Sequence, residues 1–143
     1  MPTLSVLTAH ECERLLRRST IGRVVLVTPH GPEIFPVNYL AQGGELVFRV
    51  APDSQLVQHA HGAEVLFEVD HVDEERWHGW SVVARGRAQV VTEPLANAGR
   101  TARPWVDGDR HCEVRLQWDR LSGRKVGVGW DTEAGLWSRA VQA

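Results

Sequence analysis

The spacing of hydrophobic residues changes near residue 20 from a helical pattern to a strand pattern. Upstream, residues 8–11 (Thr-Ala-His-Glu) form a capping box, in which the threonine hydroxyl and the glutamate carboxylate each accept a hydrogen bond from the other residue's amide. Leu15 and Leu16 continue the apolar face of the helix that this box begins. We expect the helix to end near Thr20, with Gly22 supplying the turn.

From residue 21 onward the period falls to two, as in β-strands with one buried face. The pattern predicts strands over residues 21–28, 33–40, 45–50, 63–70, 77–91, 111–118 and 121–126. Turns are predicted at 29–32, 43–44 and 119–120, a charged loop at 71–76, and a bulge or bend within 77–91. Short helices are predicted from a cap at Asp53 or Ser54 to about residue 61, and over 92–103. Short strands joined by tight turns favour a mostly β fold, a closed or nearly closed antiparallel barrel.

Composition and charge are those of a soluble protein of one domain. The 143 residues are 43% hydrophobic and 24% charged, and the net charge is −2. This balance argues against nucleic-acid binding, which usually needs a basic surface. No apolar run approaches the roughly 20 residues that cross a bilayer, and the first residues lack the pattern of a signal peptide. We therefore expect a cytoplasmic protein.

Cysteine and histidine could indicate redox or metal chemistry, but their spacing argues against both. The chain has two cysteines, Cys12 and Cys112, which we expect to be buried thiols rather than a redox pair. His59 and His61 would diverge from one another on a helical segment, and no ligand spacing of a known site accompanies them. No metal is expected.

The stretch from Phe35 to Gln55 carries the strongest chemical signal. It predicts two strands joined by a tight turn, with Arg49 near the end of the second strand and a polar loop that opens a helix. Such an arrangement can present a guanidinium, the Ser54 hydroxyl and helix N-terminal amides to one phosphate group.

Taken in order, the motifs of the chain resemble those of the pyridoxamine-phosphate-oxidase-like proteins, the split-barrel family of flavin and deazaflavin enzymes. The matching pieces are Leu15-Leu16, Ile21-Gly22-Arg23-Val24, Pro36-Val37-Asn38-Tyr39, Phe48-Arg49 with Ser54, Phe67-Glu68-Val69-Asp70, Gly79-Trp80-Ser81-Val82, Gly86-Arg87-Ala88, Pro104-Trp105 and Gly123-Arg124. The order and spacing are similar to those of the small actinobacterial-type members. The resemblance implies an antiparallel split β-barrel of about six strands with a few short helices, over residues 1–126.

The resemblance also implies a homodimer with two FMN sites, each shared between subunits. In the family the flavin ring lies along the strand that carries the residues matching Pro36, Val37, Asn38 and Tyr39. Residues matching Arg49, Val50, Ser54 and Gln55 hold the phosphate, and those matching Trp80 and Arg124 approach the cofactor from the partner subunit.

Two positions depart from the family pattern. The family commonly has a hydroxyl residue where this chain has Val50, and a lysine where it has Gln55. A charge-assisted hydrogen bond contributes about 1.5–3 kcal/mol. Losing one or two such bonds would weaken FMN binding by roughly one to three orders of magnitude.

Several of these residues also have a purely structural interpretation. Asn38 can satisfy backbone groups of the barrel, Trp80 can fill the core or the dimer interface, and Arg124 can be a strand-end charge. Glu68 and Asp70 share a strand face and could bind a metal, although solvation at a strand end explains them better.

The leading hypothesis is an FMN-dependent oxidoreductase that acts on a small molecule. One alternative is a deazaflavin-dependent reductase, with an acidic coenzyme tail along Arg14, Arg17, Arg18 and Arg23. A second alternative is a non-catalytic protein that binds or senses flavin or haem. Residues 127–143, which carry two tryptophans, are expected to dock on the barrel or the partner subunit.

Overall fold

The computed structural model of the chain describes residues 4–92 and 112–127. Its elements are β1 Leu4–Val6, α1 Ala9–Arg18, β2 Ile21–Thr28, β3 Gly31–Gln42, β4 Glu45–Val50, α2 Gln55–His59, β5 Glu64–Asp73, β6 His78–Val91 and β7 Cys112–Val126. Neither of these two helices has the length and apolar character needed to span a bilayer. The predicted helix at 92–103 and the predicted docking of the tail fall almost wholly outside the described residues.

The strands form one antiparallel sheet that closes on itself. The order is β1-β7-β4-β3-β2-β5-β6, and β6 also pairs with β7, so the six strands β2 to β7 complete a ring. The last residues of β7 pair with β1, a short strand that the sequence pattern did not predict. The predicted antiparallel split barrel of about six strands is confirmed.

Alternate side chains of each strand point into the ring and form the core. Phe48 of β4 and Phe67 of β5 are fully buried there, and α1 adds Leu16. Cys12 and Cys112 are both buried free thiols, as predicted. The capping box of α1 is also confirmed, because Thr8 and Glu11 exchange side-chain and backbone hydrogen bonds of 2.7 and 3.2 Å.

The prediction that Gly22 forms a turn after α1 is wrong. The helix ends at Arg18 with Ser19 as its C-cap, and Gly22 lies within β2, where it pairs with β3. A Cβ atom at this position would overlap the ring of Phe67 on the neighbouring strand. Glycine is required here by close packing against the core rather than by a turn.

The predicted turn at 119–120 is also wrong, because β7 runs through it without a break. Arg85 pairs with Arg120 while Gly86 pairs with Trp118, so Asp119 is an extra residue in β7, at the β6–β7 register shift. A β-bulge of this kind bends a strand and increases its twist. The charged loop is shorter than predicted, since β5 continues to Asp73.

Candidate functional site

A row of polar residues crosses the outer face of the sheet from β3 to β7. The β3–β4 pairing ends at Tyr39 and Phe48, which leaves Asn38 and Arg49 as the next residues of the two strands. Arg49 pairs in turn with Glu113 of β7. Because strand residues alternate between faces, these three side chains share the face opposite the core.

Glu113 is the most buried charged residue of this row, with 1% of its surface exposed. Its Oε2 accepts a hydrogen bond of 3.2 Å from Nη2 of Arg115, and its Oε1 lies 3.8 Å from Nε of Arg49. The two guanidiniums are only about 30% exposed. The carboxylate therefore holds two arginines side by side on neighbouring strands, which is a favourable geometry for binding an anion.

The loop after β4 places Ser54 and Gln55 at the start of α2. The Ser54 hydroxyl accepts a hydrogen bond of 3.3 Å from the Val57 amide as the helix cap, and it retains its own proton to donate. The α2 helix has five residues, so its contribution as an anion-binding dipole is small. Val50 points into the core and is 4% exposed, so only its backbone can face a ligand.

The candidate residues 36–39 of β3 alternate between the outer face and the core. Pro36 and Asn38 lie on the outer face, while Val37 and Tyr39 are buried. The Tyr39 hydroxyl donates a hydrogen bond of 2.7 Å to the Leu16 carbonyl, and burial raises the pKa of that hydroxyl. The side chain of Tyr39 is thus committed to the core.

The polar atoms of these residues are incompletely satisfied among the described residues. Asn38 Oδ1, Arg49 Nε and Gln55 Oε1 are buried atoms that have no hydrogen-bond partner there. Buried polar groups are rarely left without partners, and clusters of them indicate a missing ligand, water or subunit. The donors and acceptors present fit the phosphate and the polar ring edge of a flavin.

Trp80 and Arg124 come together at a second place. They line a cavity of about 680 Å³ between the ends of β5, β6 and β7. Trp80 is 8% exposed and contributes to the core, whereas Arg124 is exposed to solvent. The structure therefore supports both a packing role and a cavity-facing role for Trp80.

The two places lie far apart within one chain. Arg124 pairs with Ser81 of β6, and Glu113 pairs with Val91 at the other end of the same strand. At about 3.3 Å per residue, roughly 30 Å of strand separates them. Arg49 and Arg124 therefore lie near opposite ends of the β6–β7 pair.

Arg23, a candidate for a deazaflavin groove, is held by two carboxylates. Its Nε donates to Glu68 and its Nη2 to Asp70, each over 2.7 Å. The hydrogen bond to Glu68 raises the pKa of Arg23, and burial raises the pKa of Glu68. This ion pair accounts for Glu68 and Asp70 without a metal, and it leaves Arg23 poorly placed to bind a coenzyme tail.

Over residues 4–92 and 112–127, no three His, Cys, Asp or Glu side chains converge as a set of metal ligands. Sequence reasoning missed Glu113 and Arg115, because charged residues at alternate positions of a strand are usually solvated. The sequence did offer one signal for them. Glu113 and Arg115 alternate with the apolar residues Val114 and Leu116, so they lie on the face of β7 away from the core, in a strand that must pair with other strands.

The closed ring of antiparallel strands is that of a split-barrel protein. The family described as pyridoxamine 5'-phosphate oxidase matches residues 8–125, and the chain belongs to this family. This confirms the resemblance stated from the sequence motifs.

Individual relatives agree with this assignment. The chain is 33% identical over 123 residues to the uncharacterized protein Rv0080 of Mycobacterium tuberculosis, covering 81% of each chain. It is similar to an FAD-binding protein from Mycobacterium smegmatis, with 31% identity, a TM-score of 0.67, and coverage of 86% of this chain and 98% of that one. A conserved protein of unknown function from Corynebacterium diphtheriae has 30% identity, a TM-score of 0.69, and coverage of 85% and 96%.

Proposed function

We propose that this chain is a homodimeric, flavin-dependent oxidoreductase that acts on a small molecule. The observation that carries the proposal is the row of Asn38, Arg49 and Glu113 beside Ser54 and Gln55. Four of these residues have a buried polar atom with no hydrogen-bond partner among the described residues. FMN is the smallest flavin that offers both the phosphate and the ring edge for which these groups are suited. The family and the M. smegmatis relative support a flavin rather than another phosphate ligand.

In the proposed site Arg49, Ser54 and Asn38 each contribute a contact to the flavin. Arg49 binds the phosphate through charge-assisted hydrogen bonds, and the Ser54 hydroxyl donates one more. Asn38 offers its side-chain amide to the polar edge of the ring. A bound flavin supplies hydride or electron transfer, while the protein provides orientation and electrostatics.

The homodimer is part of the proposal because the site is incomplete in one chain. Arg49 and Arg124 lie at opposite ends of the β6–β7 pair, so two antiparallel copies would place each arginine beside the other copy's site. Exposed apolar side chains surround the Arg124 cavity, with Leu4 at 59%, Val72 at 63% and Trp77 at 75% exposure. Covering them against a partner would remove an unfavourable apolar surface from water.

Trp77 supports the same interpretation through its backbone. It has a φ of 56°, in the left-handed region that a bulky residue rarely adopts. A conformation of this kind costs of order 1–3 kcal/mol, and it persists where the surroundings or a function require it. Trp77 is exposed at the tip of the hairpin between β5 and β6, beside the cavity, and is therefore suited to contact a partner subunit.

Titration of the purified protein, freed of cofactor, with FMN and with riboflavin tests the binding step. We expect saturable FMN binding at one flavin per chain, and weaker riboflavin binding because riboflavin lacks the phosphate. The redox step is tested by reducing the bound flavin chemically and following its reoxidation by a quinone or nitroaromatic acceptor. Reoxidation no faster than that of free flavin would favour the non-catalytic alternative, and no flavin binding would overturn the proposal.

A further inference from the structure

The Arg124 cavity, of about 680 Å³, has a floor that carries no large side chain. Trp80 of β6 packs into the core, so its neighbours Gly79 and Ser81 point to the outer face of the sheet. In the row across the strands, Gly79 lies between Val72 of β5 and Val126 of β7. The longer side chains of these two residues form the walls, and β6 forms the floor between them.

The row that contains Gly79 is apolar over four strands. Leu4 of β1 pairs with Val126 and extends this row beyond β7. Val72 and Leu4 are 63% and 59% exposed, and Trp77, at the hairpin end of the cavity, is 75% exposed. An open apolar surface with an indole at one end is suited to the ring of an aromatic ligand.

The next row along the same strands is polar and contains Arg124. Asp70, Ser81 and Arg124 are paired across β5, β6 and β7, so the β6 serine separates the two charged residues. Asp70 instead accepts a hydrogen bond of 2.7 Å from Nη2 of Arg23. In the part of the chain that the structure describes, Arg124 makes no hydrogen bond or ion pair. A guanidinium and a hydroxyl are therefore available at the edge of the apolar floor.

The other carboxylates of the lining lie at the opposite end of the cavity. Asp73 is three residues beyond Asp70 on β5, where it is paired with an arginine outside the cavity, Arg76, over 3.0 Å. Glu74 follows Asp73 in the hairpin. At about 3.3 Å per residue, roughly 10 Å of strand separates them from the row of Arg124. One available cation, with one shared carboxylate two strands away, is better suited to a monoanion than to a dianion.

We infer that the Arg124 cavity is the substrate-binding site of the proposed enzyme, and that its substrate is an aromatic compound with a single carboxylate. The ring lies over Gly79, and the carboxylate accepts hydrogen bonds from Arg124 and from the Ser81 hydroxyl. The inference rests on the proposed function, which brings Arg124 beside the flavin of the second copy. A guanidinium has several donors, so Arg124 can hold the carboxylate and still face that flavin.

The test measures the binding of 2-naphthoate and of its neutral amide, 2-naphthamide, by equilibrium dialysis against the cofactor-free full chain. We expect one 2-naphthoate per chain, bound about tenfold more tightly than 2-naphthamide, the effect of one charge-assisted hydrogen bond. The dianion 2-naphthyl phosphate should displace bound 2-naphthoate less effectively than unlabelled 2-naphthoate does. Stronger displacement by the phosphate would contradict the assignment to a monoanion.

Two variants of the cavity are compared with two matched controls outside it. Ser81→Leu fills the space above the floor and should abolish the binding of both ligands, whereas Ser122→Leu, on the outer face of β7, should leave it unchanged. Arg124→Gln should reduce the affinity for 2-naphthoate to that for 2-naphthamide. Arg85→Gln lowers the net charge equally from outside the cavity and should preserve the difference.

The same ligand tests the place of the cavity beside the flavin. In the FMN-saturated protein, 2-naphthoate should shift the visible absorbance of the bound flavin, and saturable binding without a shift would overturn the substrate role. Equal affinities for 2-naphthoate and 2-naphthamide, or equal losses in Ser81→Leu and Ser122→Leu, would overturn the inference and leave the proposed function standing. Binding of 2-naphthoate without any binding of flavin would overturn the proposed function, and with it the substrate role.

Discussion

Arg49 and Glu113 face each other across β4 and β7, with Nε and Oε1 3.8 Å apart. Glu113 is almost fully buried and also receives a hydrogen bond from Arg115, so one carboxylate orients two arginines. The cluster keeps one net positive charge before any ligand arrives. This arrangement reduces the reorganisation needed to bind an anion, because the guanidiniums are already held in place.

Replacement of Arg49 by glutamine should weaken FMN binding by about ten- to hundredfold, the value of one charge-assisted hydrogen bond. Riboflavin, which has no phosphate, should bind the variant as it binds the unchanged chain. The variant should also unfold more easily, by about 1–2 kcal/mol, because Glu113 loses one of its two cationic neighbours. Equal losses for FMN and riboflavin would mean that Arg49 does not contact the phosphate.

The proposed sharing of each site between two subunits predicts complementation between two defective variants. Arg49→Gln and Arg124→Gln should each bind flavin weakly when prepared alone. After the two are mixed, unfolded and refolded together, heterodimers contain one site with both native arginines, and part of the tight binding should return. Binding equal to the mean of the separate variants would show that the two arginines do not act at one site.

Restoring the family's residue type at Gln55 and at Val50 should have different effects on FMN binding and on stability. Gln55→Lys adds a cation at the mouth of the loop and should strengthen FMN binding by about tenfold. Val50→Thr places a hydroxyl in the core, so it should cost about 1–3 kcal/mol of stability and leave FMN affinity unchanged. Thermal unfolding and flavin titration of both variants separate these effects, and tighter binding by Val50→Thr would contradict the buried position of Val50.

The hydroxyl of Tyr39 should control part of the alkaline stability. Burial raises the pKa of Tyr39 in the folded state above its ordinary value near 10, so the folded state retains a proton that the unfolded chain releases. The resulting stabilisation is present in full below about pH 10 and is lost as the pH rises towards the folded pKa. Stability should therefore fall above about pH 10.

Tyr39 is the single tyrosine of the chain, so the ultraviolet absorbance of tyrosinate reports this residue alone. We expect ionisation to coincide with unfolding, as followed by circular dichroism. Tyr39→Phe should lower the free energy of unfolding by about 1–3 kcal/mol at neutral pH, because the Leu16 carbonyl loses its donor. The stability of this variant should also fall less steeply as the pH rises above about 10. Ionisation near pH 10 in the folded protein would contradict the prediction.

Local sequence signals predicted the elements that depend on local interactions. The capping box set the start of α1, and the glycines at 43–44, both with positive φ, set the turn between β3 and β4. The strand β4 was predicted with its observed bounds. In each case the residues that decide the structure are close together in the chain.

Features that depend on a distant partner were mispredicted or missed. Gly22 is explained by Phe67 on another strand, and the extra residue Asp119 is explained by the register with β6. Glu113 lies at the proposed site only because β7 pairs with β4 and brings it beside Arg49. Strand pairing over such separations is not encoded in the spacing of nearby residues. The placement of Glu113 and Arg115 beside Arg49 could therefore not be predicted.

The position of β7 in the ring constrains the order of assembly. It is the last strand in the described sequence, yet it pairs with β4, β6 and β1. Until β7 emerges from the ribosome, β4 and β6 are open edges of a five-stranded sheet, and exposed edges of this kind promote aggregation. Ring closure must therefore be a late event in synthesis, and any nascent chain that stalls before residue 112 would depend on chaperones to protect those two edges.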